Sequence, residues 1–180
     1  MKFRTVTIFS GHTFEVPQSI QRIDHRATHG WQLRYGGTKL YSDHTSDGSG
    51  AAESMRLATK ELLKRIAALP APSLLQRGPS ANKSSDLPVG ISGPVVRQRR
   101  GSALRDCSLA VLIPRFGEKP QRRSIYIGTE NTYTVARFKA ALARAVEMRA
   151  EAVEAYERET TKDKRAQARE HKKQLKTMAA

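Results

Sequence analysis

Residues 30–43 read Gly-Trp-Gln-Leu-Arg-Tyr-Gly-Gly-Thr-Lys-Leu-Tyr-Ser-Asp, an apolar/polar alternation interrupted once by a pair of glycines. A two-residue period marks a strand with one buried and one wet face, and Gly-Gly between two such runs marks a hairpin. The pattern predicts Trp31, Leu33 and Tyr35 on the inner face with Gln32 and Arg34 outside. Beyond a tight turn at Gly36-Gly37, it predicts Leu40 pointing in and Lys39 and Tyr41 pointing out. Residues 20–26 supply a first strand. After a turn-forming stretch over 43–50, Met55, Ala58, Leu62, Ile66 and Leu69 recur at three- and four-residue spacing, as on a helix with one buried stripe. Three strands and a helix make a two-layer sandwich in which the helix covers one sheet face.

The same order of elements returns later with little residue identity. Strands are expected over 95–100, 108–114 and 122–128, with Ile125 and Ile127 facing one way and Ser124 and Tyr126 the other. A helix begins near Thr132 with Val135, Phe138, Leu142 and Ala145 on one side. Between the halves, Pro70, Pro72, Pro79 and Pro88 with a Ser/Asn/Lys run lack either period and read as a linker. The expected fold class is therefore α+β: two tandem small modules, each a three-stranded antiparallel sheet packed on one helix, with a long C-terminal helix. The boundaries are a first module over 1–69, a flexible linker over 70–89, a second module over 90–156 and a charged helical or disordered tail over 157–180. Residues 2–9 are strand-like and outside the repeat, with an edge of a sheet as their expected partner. Residues 157–176 hold eight Lys/Arg against four Asp/Glu. They read as a solvated or frayed extension of the second helix, or as an arm that contacts phosphates.

Lys and Arg number 32 against 17 Asp and Glu, a net charge of +15 in 180 residues. That excess exceeds what solubility requires and points to a polyanionic partner, with nucleic acid first. No apolar run approaches the ~20 residues of a membrane span, and the N-terminus lacks a signal-peptide core. A cytoplasmic, nucleoid-associated protein without membrane contact is the expectation. The single cysteine, Cys107, precludes an intramolecular disulfide or a cysteine-rich zinc site, and its place near a strand start reads as a small buried hydrophobe.

Residues 19–66 resemble the ethylene-response-factor (Apetala) type DNA-binding domain, in the form found in bacterial and phage proteins. The likeness lies in Arg22-Ile23-Asp24, His29-Gly30-Trp31, the third strand closing on Tyr41-Ser42-Asp43, and the alanine-bearing helix ending in Leu62-Leu63. From residue 90 to about 156 the chain resembles the companion module, through Val96-Arg97-Gln98-Arg99 and Ile127-Gly128-Thr129. The resemblance implies a three-stranded sheet backed by a helix, with its exposed face in the DNA major groove. By position it implies that Arg22, Gln32, Arg34, Lys39 and Tyr41 form the first DNA face, and Arg97, Arg99, Ser124 and Tyr126 the second, with Trp31 in the core. Ser124 departs from the Arg usual at its position, and Ala27-Thr28-His29 replaces the Trp-bearing loop of the plant members.

These residue types suit duplex readout. Arg forks onto guanine O6 and N7, Gln pairs bidentately with adenine, and Lys serves phosphates better than bases. The expected function is sequence-specific double-stranded DNA binding by a non-enzymatic transcriptional regulator, with no cofactor, no metal and no small-molecule substrate. His25 and His29 flank a turn and so do not share a helix face as a zinc pair would, and Gly48-Ser49-Gly50 lacks the Lys-Ser/Thr of a phosphate-binding loop. Other classes fit the same charge: an RNA-binding protein, an architectural nucleoid protein, or a protein whose basic surface meets an acidic partner. Sheet-based readers of unpaired RNA stack bases on two or three exposed aromatics, whereas each predicted face offers one.

Overall fold

A computed structural model describes residues 1–98, 101 and 103–178. Among the described residues eight strands and two helices follow in the order β1 (Phe3–Thr7), β2 (Thr13–Pro17), β3 (Ile20–His25), β4 (Thr28–Arg34), β5 (Thr38–Ser42), α1 (Ala51–Ala68), β6 (Ile91–Gln98), β7 (Arg105–Ile113), β8 (Gln121–Thr129) and α2 (Val135–Met178). They build three antiparallel sheets, β1-β2, β3-β4-β5 and β6-β7-β8. The class is α+β with a long C-terminal helix. Two compact units result, one of Met1–Pro72 with the chain from Thr161 onward, the other Ser73–Thr160.

In the first unit Trp31, Leu33 and Tyr35 are buried as the alternation requires, against Ala51, Met55, Ala58, Leu62 and Ile66 of α1. The Trp31 indole N–H donates to the Ala51 carbonyl at 2.8 Å, so the largest core side chain also satisfies its one polar atom. The N-terminal run does not extend a sheet edge as expected. It pairs with β2 as a separate hairpin whose Ile8 and Val16 enter the same core, with Phe14 edge-on to Trp31 at 5.4 Å. Its capacity for this lies in Phe14 and Val16, two apolar positions of one short strand.

The tail also differs from a solvated extension. α2 runs unbroken from Val135, and its portion beyond Thr161 packs within the first unit. Ala168 is buried in that core, the Ala71 amide donates to Thr161 Oγ1, and His171 stacks on Phe3 at 4.8 Å.

In the second unit Leu109, Val111, Ile125 and Ile127 meet Ala141 and Ala145 of α2. Cys107 is buried there, which pushes its thiol pKa up and keeps it protonated. Val135, expected inside, is exposed because α2 starts on it and its inward stripe opens only at Phe138. Thr134 caps the helix, accepting the Arg137 amide on Oγ1 at 3.2 Å. Residues 76–83 do not run free of the sheet: Gln76, Pro79, Ser80 and Lys83 share a cavity of about 290 Å³ with Ser92, Ala110, Leu112 and Arg122. The Lys83 ammonium donates to the carbonyls of Leu87 and Pro88, which ties that segment to the start of β6.

Candidate nucleic-acid interface

Directly opposed residues of antiparallel strands share a face, so the register sorts every side chain. In β3-β4-β5, Trp31 stands opposite both Arg22 and Tyr41, and Leu33 opposite Lys39. Arg22, Lys39 and Tyr41 therefore project to the helix-covered side, contrary to expectation. Gln32 opposes Gln21 and Leu40, and Arg34 opposes Thr38, so the free face holds Gln21, Gln32, Arg34, Thr38 and Leu40. Leu40, expected inside, is 40% exposed.

In β5 the misplacement has one physical source. A two-residue turn at Gly36-Gly37 would pair Tyr35 with Thr38 and Leu33 with Leu40. The observed pairing of Arg34 with Thr38 leaves Tyr35, Gly36 and Gly37 in a three-residue loop, and one extra loop residue moves every β5 side chain to the other face. Tyr35 is held out of the ladder by burial and by donating its hydroxyl to the Pro70 carbonyl at 3.2 Å. Arg65 clamps the loop from α1, donating to the carbonyls of Tyr35 and Gly37 at 2.9 Å each. Gly36 takes φ +62°, the left-handed region that favours glycine.

Arg22 has a structural task instead. Its guanidinium grips Asp43 with two hydrogen bonds, 2.6 and 3.1 Å, donates to Asp24 at 2.9 Å, and lies over the Trp31 ring at 5.1 Å. Asp43 is fully buried and also accepts the Ser54 hydroxyl at 2.6 Å. The cluster ties β3, the end of β5 and the first turn of α1 together. Burial works to raise the Asp24 carboxyl, but hydrogen bonds from Arg22 and His29 and their charges hold it below its ordinary value. Lys39 sits over the Tyr41 ring at 5.0 Å, on the side of the sheet its register with Leu33 assigns to α1.

Gln32 and Arg34 remain together on the free face, the Arg34 Nε donating to Gln32 Oε1 at 2.5 Å. That bond engages the Arg34 Nε and leaves its two terminal guanidinium nitrogens and the Gln32 amide NH₂ as donors it does not use.

In β6-β7-β8 the register unites the expected residues better. Arg97 opposes Asp106, Val95 and Tyr126 both oppose Ser108, and Ser124 opposes Ala110. Leu109 and Ile125 point the other way, into the core. Arg97, Ser124 and Tyr126 thus share the face away from α2, with Ser108 and Ala110 between them and Arg122 farther along beside Leu112. Gln76, Pro79, Ser80 and Lys83 border this face at Ser92, Ala110, Leu112 and Arg122. Asp106 is the acidic member, beside Arg97. Arg99 lies outside the described residues. Arg122 was missed from sequence although it stands two residues before Ser124 on the same strand, the spacing that places it on that face.

Among the described residues no three His, Cys, Asp or Glu side chains gather as a metal site, and no helix is long and apolar enough to cross a membrane. No family model, curated protein or solved structure matches the chain.

Proposed function

We propose that the chain is a non-enzymatic double-stranded DNA-binding protein of the regulatory kind, acting at the nucleoid in the cytoplasm and reading the major groove with the free faces of its two three-stranded sheets. The observation that carries this reading is the pairing of Arg34 with Gln32 on a sheet face that no helix covers. A sheet of this size enters the major groove, and fixing the Arg34 Nε on Gln32 presents a guanidinium fork and an amide, the donors that guanine and adenine edges accept. Arg97, Ser124 and Tyr126 offer the second face, beyond the end that residues 76–83 border at Ala110 and Arg122, and there Arg97 meets bases or phosphates. Arg22, Lys39 and Tyr41 drop out of the readout set. The net charge of +15 supplies the sequence-independent part of the affinity.

Placing Tyr41 on the helix side removes the one aromatic expected on the first free face, and with it a stacking platform for unpaired RNA. The resemblance to the ethylene-response-factor type domain belongs to this same reading.

Fluorescence anisotropy with matched duplex DNA, single-stranded DNA and RNA tests it. Duplex is expected to bind tightest, and selection from a random duplex library is expected to return a motif. Equal or tighter binding of single-stranded RNA refutes the reading, and a steep salt dependence with no motif makes the protein architectural.

A further inference from the structure

We infer that the last turns of α2 carry a second contact surface, a basic stripe that lies along the phosphate backbone of duplex DNA. The inference rests on the DNA-binding reading above but uses none of its sheet residues.

At 3.6 residues per turn, Arg165, Arg169, Lys172, Lys173 and Lys176 fall within an arc of about 100°. All five are exposed, and the buried Ala168 lies at the edge of that arc, so the stripe flanks the packed face. Arg165 donates through Nε to the Ile66 carbonyl at 3.4 Å, which anchors one end of the stripe to α1. Among the described residues none of the five takes part in a salt bridge. The same helix pairs Arg158 with Glu154 about two turns upstream of this stretch.

Charge is segregated along α2. Residues 147–159 hold five glutamates and two arginines, whereas 161–178 hold seven Lys/Arg against Asp163 and Glu170. Solubility needs no such sorting, since interspersed signs serve it better. A run of uncompensated cations on an ordered helix matches a line of negative charge.

The spacing suits one strand of a duplex. From Arg165 to Lys176 the helix rises about 16 Å, so the five cations stand on average about 4 Å apart along the axis, a charge density of the same order as a nucleic-acid strand. Each DNA strand presents a phosphate every 3.4 Å of its own axis. A membrane surface fits less well, because an interfacial helix needs a free apolar face and here that side of the helix lies on the first unit's core.

The test uses the full chain with Arg169, Lys172, Lys173 and Lys176 all changed to Gln, which keeps helix propensity and leaves Ala168 in place. Duplex affinity is measured by anisotropy from 50 to 200 mM salt, and helicity by circular dichroism. Four lost phosphate contacts should lower the slope of log K against log salt by about 3–4. The loss of affinity on raising the salt should then shrink by about 10²-fold, with the selected motif unchanged. The matching Lys→Arg triple variant should keep the wild-type slope, which separates charge from any effect on folding. A four-Gln variant that is folded and has the wild-type slope overturns the inference. So does one that loses binding only to phosphatidylserine vesicles. A wild-type chain that binds no duplex fails the broader reading instead, and Arg34→Ala, which should blur the motif while changing the slope by no more than about 1, shows which surface is at fault.

Discussion

Arg22 and Arg34 belong to neighbouring strands of one sheet and have similar sequence surroundings, yet the register gives them opposite tasks. Arg22 neutralises a fully buried carboxylate, so removing either partner strands a charge in the core. Asp43→Ala and Arg22→Ala are each expected to destabilise the first unit by about 3–5 kcal/mol. Arg34→Ala should stay within about 0.5 kcal/mol of wild type while weakening specific DNA binding by about 1–3 kcal/mol. Trp31, the single tryptophan, reports unfolding of this unit by fluorescence, and a stable Arg22→Ala protein would disprove the buried role. Asp24 adds a pH dependence. Its folded pKa lies below the ordinary 3.8, so its contribution is complete above that pH and is lost as pH falls through the folded value. Asp24→Asn should therefore flatten the acid limb of the Trp31 unfolding curve below about pH 4 and leave the neutral plateau lower.

Strands, helices and most of the core were legible as elements because period and turn residues are local signals. Trp31, Leu33, Tyr35, Met55, Leu62 and Ile125 all fall where alternation or helical spacing puts them. Faces were less legible, because they depend on counting loop residues. Ile20 and Ile23 are three apart and cannot both point inward, so β3 gives no firm parity of its own, and the core takes Ile20 with Arg22. In β5 parity passed through the Gly36-Gly37 loop, whose third residue, Tyr35, is held there by Pro70 and Arg65, partners distant in sequence. The second site survived better, since Ile125 and Ile127 fix β8 directly. The docked end of α2 carried a weak signal: Ala168 is a small residue among charges. Its docking should respond to pH through His171. Burial first, and then the charge of the N-terminal amino group, hold this imidazole below its ordinary 6.5, with Gln174 opposing them. The neutral ring is thus favoured in the packed state, and the stability it confers is present above pH 6.5 and lost as pH falls toward the folded value. Protection of residues 165–176 from hydrogen exchange, taken relative to the intrinsic rate at each pH, should fall as pH drops below 6.5 in the wild type and stay unchanged in His171→Gln.

One helix contributes core residues to both units, Ala141 and Ala145 to the second and Ala168 to the first. The first unit is consequently incomplete without the end of the chain, although 90 residues separate Ala71 from its partner Thr161. Truncation after Thr160 removes the buried Ala168, the ring contact of His171 with Phe3 and the Arg165 bond to Ile66. A buried methyl and an aromatic pair together amount to about 1–2 kcal/mol. For a unit of this size that corresponds to a fall in melting temperature of roughly 4–16 °C. Trp31 fluorescence should show the fall, while circular dichroism should retain the strand and helix signal of the second unit, whose core uses no residue beyond Ala145. Sheet residues Gln32 and Arg34 remain in the truncated chain, so at low temperature its DNA motif should persist with a shallower salt dependence. An unchanged Trp31 midpoint after truncation would mean that the helix end rests on the first unit without stabilising it, and a collapse of both units together would mean that the shared helix folds them as one.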